Sequence, residues 1–187
     1  DSTKVPRLDV SLRPSLTEGR TNFTYYDGMK RIPEGTAPDF KNKSHTITAE
    51  VEIAEGGSDG VLVTQGGRFG GWGLYVKDGV PAYDYNFLGL ERTTVAGTEK
   101  LVPGKHTIRF DFAYDGDGMG KGGTGTLFVD DVKVGEGAIP RTQPIVFSAD
   151  ETADVGVDLA TPVIERIGAE AASLFSGTIN SVTVSTN

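Results

Sequence analysis

Carboxylates two residues apart on an extended chain point to the same side, so Glu50 and Glu52 in Glu50-Val51-Glu52-Ile53-Ala54-Glu55 could line one cleft together. A retaining glycosidase needs such a pair, with carboxyls about 5 Å apart. The competing reading is a solvated strand face, because the same alternation arises wherever one side of a strand meets water. A second acidic group, Asp150-Glu151-Thr152-Ala153-Asp154-Val155-Gly156-Val157-Asp158, offers hard oxygens from Asp150, Asp154 and Asp158, with Gly156 permitting a sharp turn. Calcium takes oxygen ligands of this kind, although the spacing is not that of an EF-hand. Aspartates that cap backbone amides in a loop would leave the same trace.

The remaining candidates are contact residues. Gly66-Gly67-Arg68-Phe69-Gly70-Gly71 lacks the Gly-Lys-Ser/Thr ending of a phosphate-cradling loop, and a strand pattern follows it. Its glycines suit a tight turn or close backbone approach, leaving Arg68 and Phe69 at the tip as contact residues. Tyr25 and Tyr26, clustered with Phe23, would anchor an N-terminal arm, and Asn86 lies in a further turn-rich stretch. Trp72, Tyr75, Tyr83, Tyr85 and Phe87 could stack on sugar rings or fill a core; Trp72, Leu74 and Val76 share a face, which favours core. His45 and His106 each open a strand in phase with its apolar residues, as rim or core residues would. With no cysteine and no His-Glu-x-x-His spacing, zinc has little support.

Strands must position these groups. His45, Ile47, Ala49, Val51 and Ile53 alternate with polar residues, as do His106, Ile108, Phe110, Phe112 and Tyr114. Period-two alternation of this quality predicts antiparallel strands with one wet face. Further strands are expected near 60–64, 72–77, 80–87, 90–95, 124–129, 132–136, 144–148 and 175–185. Asp78-Gly79 reads as a two-residue hairpin turn. In the last strand the apolar phase changes between Ile179 and Val182, which predicts a bulge at Asn180–Ser181. Helical signal is confined to Pro162–Ala172. These patterns predict an all-β, two-sheet antiparallel jelly-roll sandwich over residues 45–187, preceded by an irregular arm over 1–44.

At 187 residues the chain is long enough for one domain burying roughly 70% of its unfolded surface. Its hydrophobic content of 37% excludes disorder, and no apolar run is long enough for a membrane helix. Net charge is −8, with six acids against Arg166 alone in residues 142–187. No basic stripe exists to neutralise phosphates, so nucleic acid is an improbable partner. The opening at Asp1, without methionine or apolar leader, is read as a removed targeting region or a piece of a longer protein; compartment stays unknown.

The wording of the chain is more specific than its periodicity. QGGRFGGWGLYVKDG with YNFLGLER, RTNFTYYDGMKRIPEGTAPDFKNKSHTITAEVEI, PGKHTIRFDFAYDGDGMGKGGTGTLFVDDVKVGEG and FSADETADVGVDLATPV together resemble the C-terminal domain of long bacterial arylsulfatases. FSGTINSVTV resembles the closing strand of laminin-G-like and legume-lectin-like (concanavalin-type) sandwiches. The resemblance implies a non-catalytic accessory domain that packs against a sulfatase catalytic domain and walls its active site. That domain would belong to the same polypeptide. The formylglycine motif Cys/Ser-x-Pro-Ser-Arg is absent, Arg13-Pro14-Ser15 being only a fragment of it, so no catalytic residue carries over. A glycan-binding lectin-like module, with a sulfated glycan as its partner, is the alternative; a jelly-roll glycoside hydrolase using Glu50 and Glu52 is a distant one. Asp130-Asp131 departs from the Asp-Gly turn usual in such sandwiches.

Overall fold

The computed structural model of the chain describes residues 16–186. The described residues form eleven strands: β1 (Asn22–Tyr25), β2 (His45–Ile53), β3 (Gly60–Gly67), β4 (Gly70–Lys77), β5 (Val80–Phe87), β6 (Glu91–Ala96), β7 (Gly104–Tyr114), β8 (Lys121–Val129), β9 (Val132–Arg141), β10 (Ala153–Val155) and β11 (Thr178–Thr186). They form a six-stranded sheet in the order β1-β11-β2-β7-β8-β9 and a five-stranded sheet in the order β10-β3-β4-β5-β6. Every pairing is antiparallel. The architecture is the jelly-roll sandwich that the alternation predicts.

Alternation decides which side chains meet between the sheets. Ile47, Ala49, Val51 and Ile53 of β2 and Ile108, Phe110 and Phe112 of β7 face Leu62, Val63, Trp72, Leu74, Val76, Tyr83 and Tyr85 across the sandwich, all in one buried cluster. Tyr83 stacks on Phe110 with ring centroids 3.6 Å apart, and the Phe110 ring fills the space where a Cβ at Gly125 would stand. The aromatic residues of the central strands are thus core, apart from Tyr75 on the outer face. Asp78-Gly79 turns the β4–β5 hairpin with φ of 54° and 79°, the left-handed pair of a type I′ turn. Asp130 and Asp131 do the same for β8–β9, with φ of 50° and 63°. Asp130 then anchors the start of β7, accepting from the Thr107 amide and pairing with His106. The β11 register shifts between Ile179 and Ser181, where the phase change places a bulge.

The arm keeps mostly irregular backbone but clasps both sheets. Its four-residue strand β1 pairs with β11, and Ile32 bridges to Ala153 at the edge of the other sheet. Phe23 is buried, Tyr25 packs against the core rim, and Tyr26 is exposed. Two expected elements do not form. Residues 144–148 are a loop, because Pro144 has no amide to donate and the amides of Phe147 and Ser148 bond to the Glu34 carboxylate instead of a strand. Over 162–172 only a 3-10 turn at Glu170–Ala172 appears, since Gly168 at φ 88° ends the turn begun at Ile164.

Candidate functional site

One end of the sandwich gathers most of the contact candidates. The β3–β4 hairpin projects Arg68 and Phe69 there, Phe69 being 75% exposed. The β5–β6 turn lies against it, the Gly89 Cα region approaching Phe69. Leu88 and Leu90 top this second turn, and Leu90 is 80% exposed. The loop after β9 completes the rim: Gln143 packs over Gly70, and Ile145 and Val146 face outward. Asn42 ties that loop to the β7–β8 loop, donating to Pro144 O and accepting from Gly120 N, which brings exposed Met119 to the same end.

Beside this rim runs an open groove of about 680 Å³ between residues 33–41 and 145–152. Among the described residues Glu34, Asp39, Asp150 and Glu151 line it against one cation, Lys41. Lys41 is paired at 2.8 Å with Glu34 and 2.9 Å with Asp39. Glu151 joins groove to hairpin: Thr161 donates to its carboxylate at 2.7 Å while accepting from the Arg68 amide at 2.9 Å.

Residues 156–173 cross the outer face of the five-stranded sheet as a strap. Val163 and Ile164 pack on Val61, Tyr75 and Ala82. The approach is close because Gly73 has no side chain; its Cβ would stand 2.6 Å from Ile164 Cδ1. Arg166 reaches back to donate to Asp84 at 2.9 Å, and the Tyr75 hydroxyl donates to the same oxygen at 2.8 Å. Burial pushes Asp84 up to about 6, with Thr94 and Arg92 pulling the other way. Glu165 pairs with Arg92 at 3.0 Å and lies 3.9 Å from Arg68. These exposed pairs contribute at most about 1 kcal/mol each.

The acidic residues expected as calcium ligands do not converge. Asp154 accepts from Arg31 N and from the Thr152 hydroxyl, so it holds the arm. Asp158 is buried and accepts from Val163 N, folding the strap, while Asp150 is exposed in the groove. Among the described residues no group of three or more His, Asp or Glu side chains is placed to hold a metal ion. Asn86 is fully buried, donating to Gly67 O and Arg68 O and accepting from Gly89 N. It shapes the two hairpins, and its side chain has no free face for a ligand. Glu50 accepts from Thr107 on the open face of the six-stranded sheet, whereas Glu52 borders a groove at the other end of the sandwich. Glu50 is not among the residues that line that groove. Sequence reasoning missed the strap and the groove, since side chains bonding to backbone amides leave no periodic trace.

No family model matches the chain, and no curated protein matches it. Solved structures do. The CBM40 domain of Ruminococcus gnavus IT-sialidase, solved with α2,3-sialyllactose, superposes at a TM-score of 0.53 with 15% identity, covering 89% of each chain. The LG1-3 region of the laminin α2 chain gives 0.53 with 14% identity over 89% of this chain and 34% of that one. Mouse laminin α1 domains LG4-5 give 0.51 and 13%, over 89% and 39%. The fold is therefore that of the laminin-G and CBM40 lectin-like sandwiches. These neighbours do not support the arylsulfatase resemblance.

Proposed function

We propose that the chain is a non-catalytic recognition module that binds a glycan at the loop end. The observation carrying this is the juxtaposition there of the exposed Arg68–Phe69 tip and the carboxylate-lined groove. An exposed ring offers a stacking face for sugar C–H groups, and carboxylates accept hydrogen bonds from sugar hydroxyls. The strap fills the outer face of the five-stranded sheet and so removes that face from contact with a ligand. Likeness of fold to a sialyllactose-bound CBM40 supports the reading. Four acids against Lys41 favour a neutral sugar over a sulfated one. Titration calorimetry against neutral oligosaccharides, sialyllactose and a sulfated oligosaccharide tests this. Saturable binding of a neutral sugar, weakened at least tenfold (about 1.4 kcal/mol) by Phe69→Ala, is expected. Absence of saturable binding across the panel would refute it.

A second reading is favoured by the aliphatic character of the rim. Leu88, Leu90, Met119, Ile145 and Val146 are exposed on adjoining loops, as suits a protein interface. In that reading the loop end packs against an arylsulfatase catalytic domain of the same polypeptide. A reading frame upstream of Asp1 encoding Cys/Ser-x-Pro-Ser-Arg, and loss of sulfatase activity in the joined protein on Leu88→Asp with Leu90→Asp, are the expected results. A frame without that motif rules the reading out.

A further inference from the structure

Asp158 sits where a carboxylate is hardest to keep ionised. It is 1% exposed, its Oδ2 accepts from Val163 N at 2.8 Å, and its Oδ1 has no hydrogen-bond partner. Among the described residues it has no cationic partner. The charges nearest to it repel: Asp154 on β10 and Glu151 in the preceding loop. From the turn that follows, Glu170 donates its backbone amide to Asp158 O, while its carboxylate accepts from Ala160 N. On the sheet side Thr64, whose hydroxyl donates to the neighbouring Val157 O, is neutral, and the basic groups of the seam are engaged elsewhere, Arg166 with Asp84 and Arg92 with Glu165. The Asp158 amide donates to Ser173 Oγ, so both ends of the strap converge on this residue.

We propose that the strap is a proton-sensitive clasp: with Asp158 protonated it closes on the five-stranded sheet, and with Asp158 ionised it loosens, releasing the Arg68–Phe69 tip. The link to the tip is the chain of bonds from Arg68 N to Thr161 and from Thr161 to Glu151, with Glu165 reaching Arg68 and Arg92 from the same strap. This regulation of the loop end rests on the glycan reading for its purpose, but the clasp itself does not depend on any ligand.

Burial raises Asp158 to about 7; the Val163 and Ile164 amides oppose this, and Asp154 and Glu151 add to it. The sign follows from proton counting. Between the ordinary carboxyl value and about 7 the closed strap binds more protons than the open one, so rising pH drives opening across that window. Above it the effect levels off. His45 works in the opposite sense on global stability, because burial holds it at about 3 and acid therefore favours unfolding. Core amides and strap amides should therefore move in opposite directions with pH, which separates the clasp from global unfolding.

Hydrogen exchange of the unliganded protein at pH 5 and pH 8, corrected for intrinsic rates, reads the clasp. Opening of residues 158–168, read without normalisation to the core, should itself rise roughly tenfold or more from pH 5 to pH 8, whereas β2 amides, governed by His45, should not rise. Asp158→Asn keeps an acceptor for Val163 N without the charge and should flatten this dependence. Asp84→Asn should leave most of it in place. Equal strap protection at both pH values, or an unchanged dependence in Asp158→Asn, would overturn the proposal. Because no glycan is present, failure of the clasp and failure of the glycan reading are separately visible.

Discussion

His45 opens β2 in phase with its apolar residues and ends in the core, its ring stacked on Phe40 with centroids 3.9 Å apart. Burial lowers its pKa to about 3, partly offset by the Lys43 carbonyl beside Nδ1. The unfolded chain takes up that proton near the ordinary histidine value, so stability falls as pH drops through about 6.5 toward 3. His45→Phe, which retains the ring, should flatten the acid side of a pH–stability curve measured by urea unfolding; an unchanged acid slope would contradict the assignment. Phe110 illustrates the packing side of the same core. Lying between Tyr83 and Gly125, it should lose about 3–5 kcal/mol on Phe110→Ala, read from the unfolding midpoint. At Gly73 even a methyl group meets Ile164 and Thr64, so Gly73→Ala should raise exchange of strap amides while sparing those of β2 and β7.

The longer strands were legible in the sequence because their residues follow a period of two, whereas the short β1 and β10 left no such trace. β2 and β7 follow the alternation residue by residue, and the β11 bulge appears where the phase slips. What alternation does not encode are segments organised by side chain to backbone bonds. Glu34 takes the amides of Phe147 and Ser148, which turns an apolar run into a loop. Asp154 takes the amide of Arg31, and Asp158 that of Val163, so both acids that suggested a calcium loop instead fasten the arm and the strap. Val157 and the Val163-Ile164 pair were the available signal that this acidic stretch returns to the protein interior. Arg68 and Phe69 were legible as a tip because glycines flank them; the groove beside them was not, since its walls lie more than a hundred residues apart in sequence. The arm carries a prediction of its own. β1 covers the β11 edge and Ile32 holds β10, so removing residues 16–44 should expose two sheet edges and lower stability by several kcal/mol, with aggregation at high concentration.

Over the whole molecule, polar chemistry is unevenly distributed. The outer face of one sheet is capped by the strap, whereas hairpin tips, groove and apolar loops crowd one end. No helix among the described residues is long and apolar enough to cross a membrane. The proposed glycan site lies at this end of the sandwich. Mapping amide chemical shifts across the chain during titration with a neutral oligosaccharide tests that most directly. Saturable shifts confined to residues 33–41, 67–70, 88–90 and 143–152, and abolished by Phe69→Ala with Asp150→Ala, are the predicted result. Saturable shifts centred on the six-stranded face around Glu50, or no shifts at millimolar sugar, would contradict it.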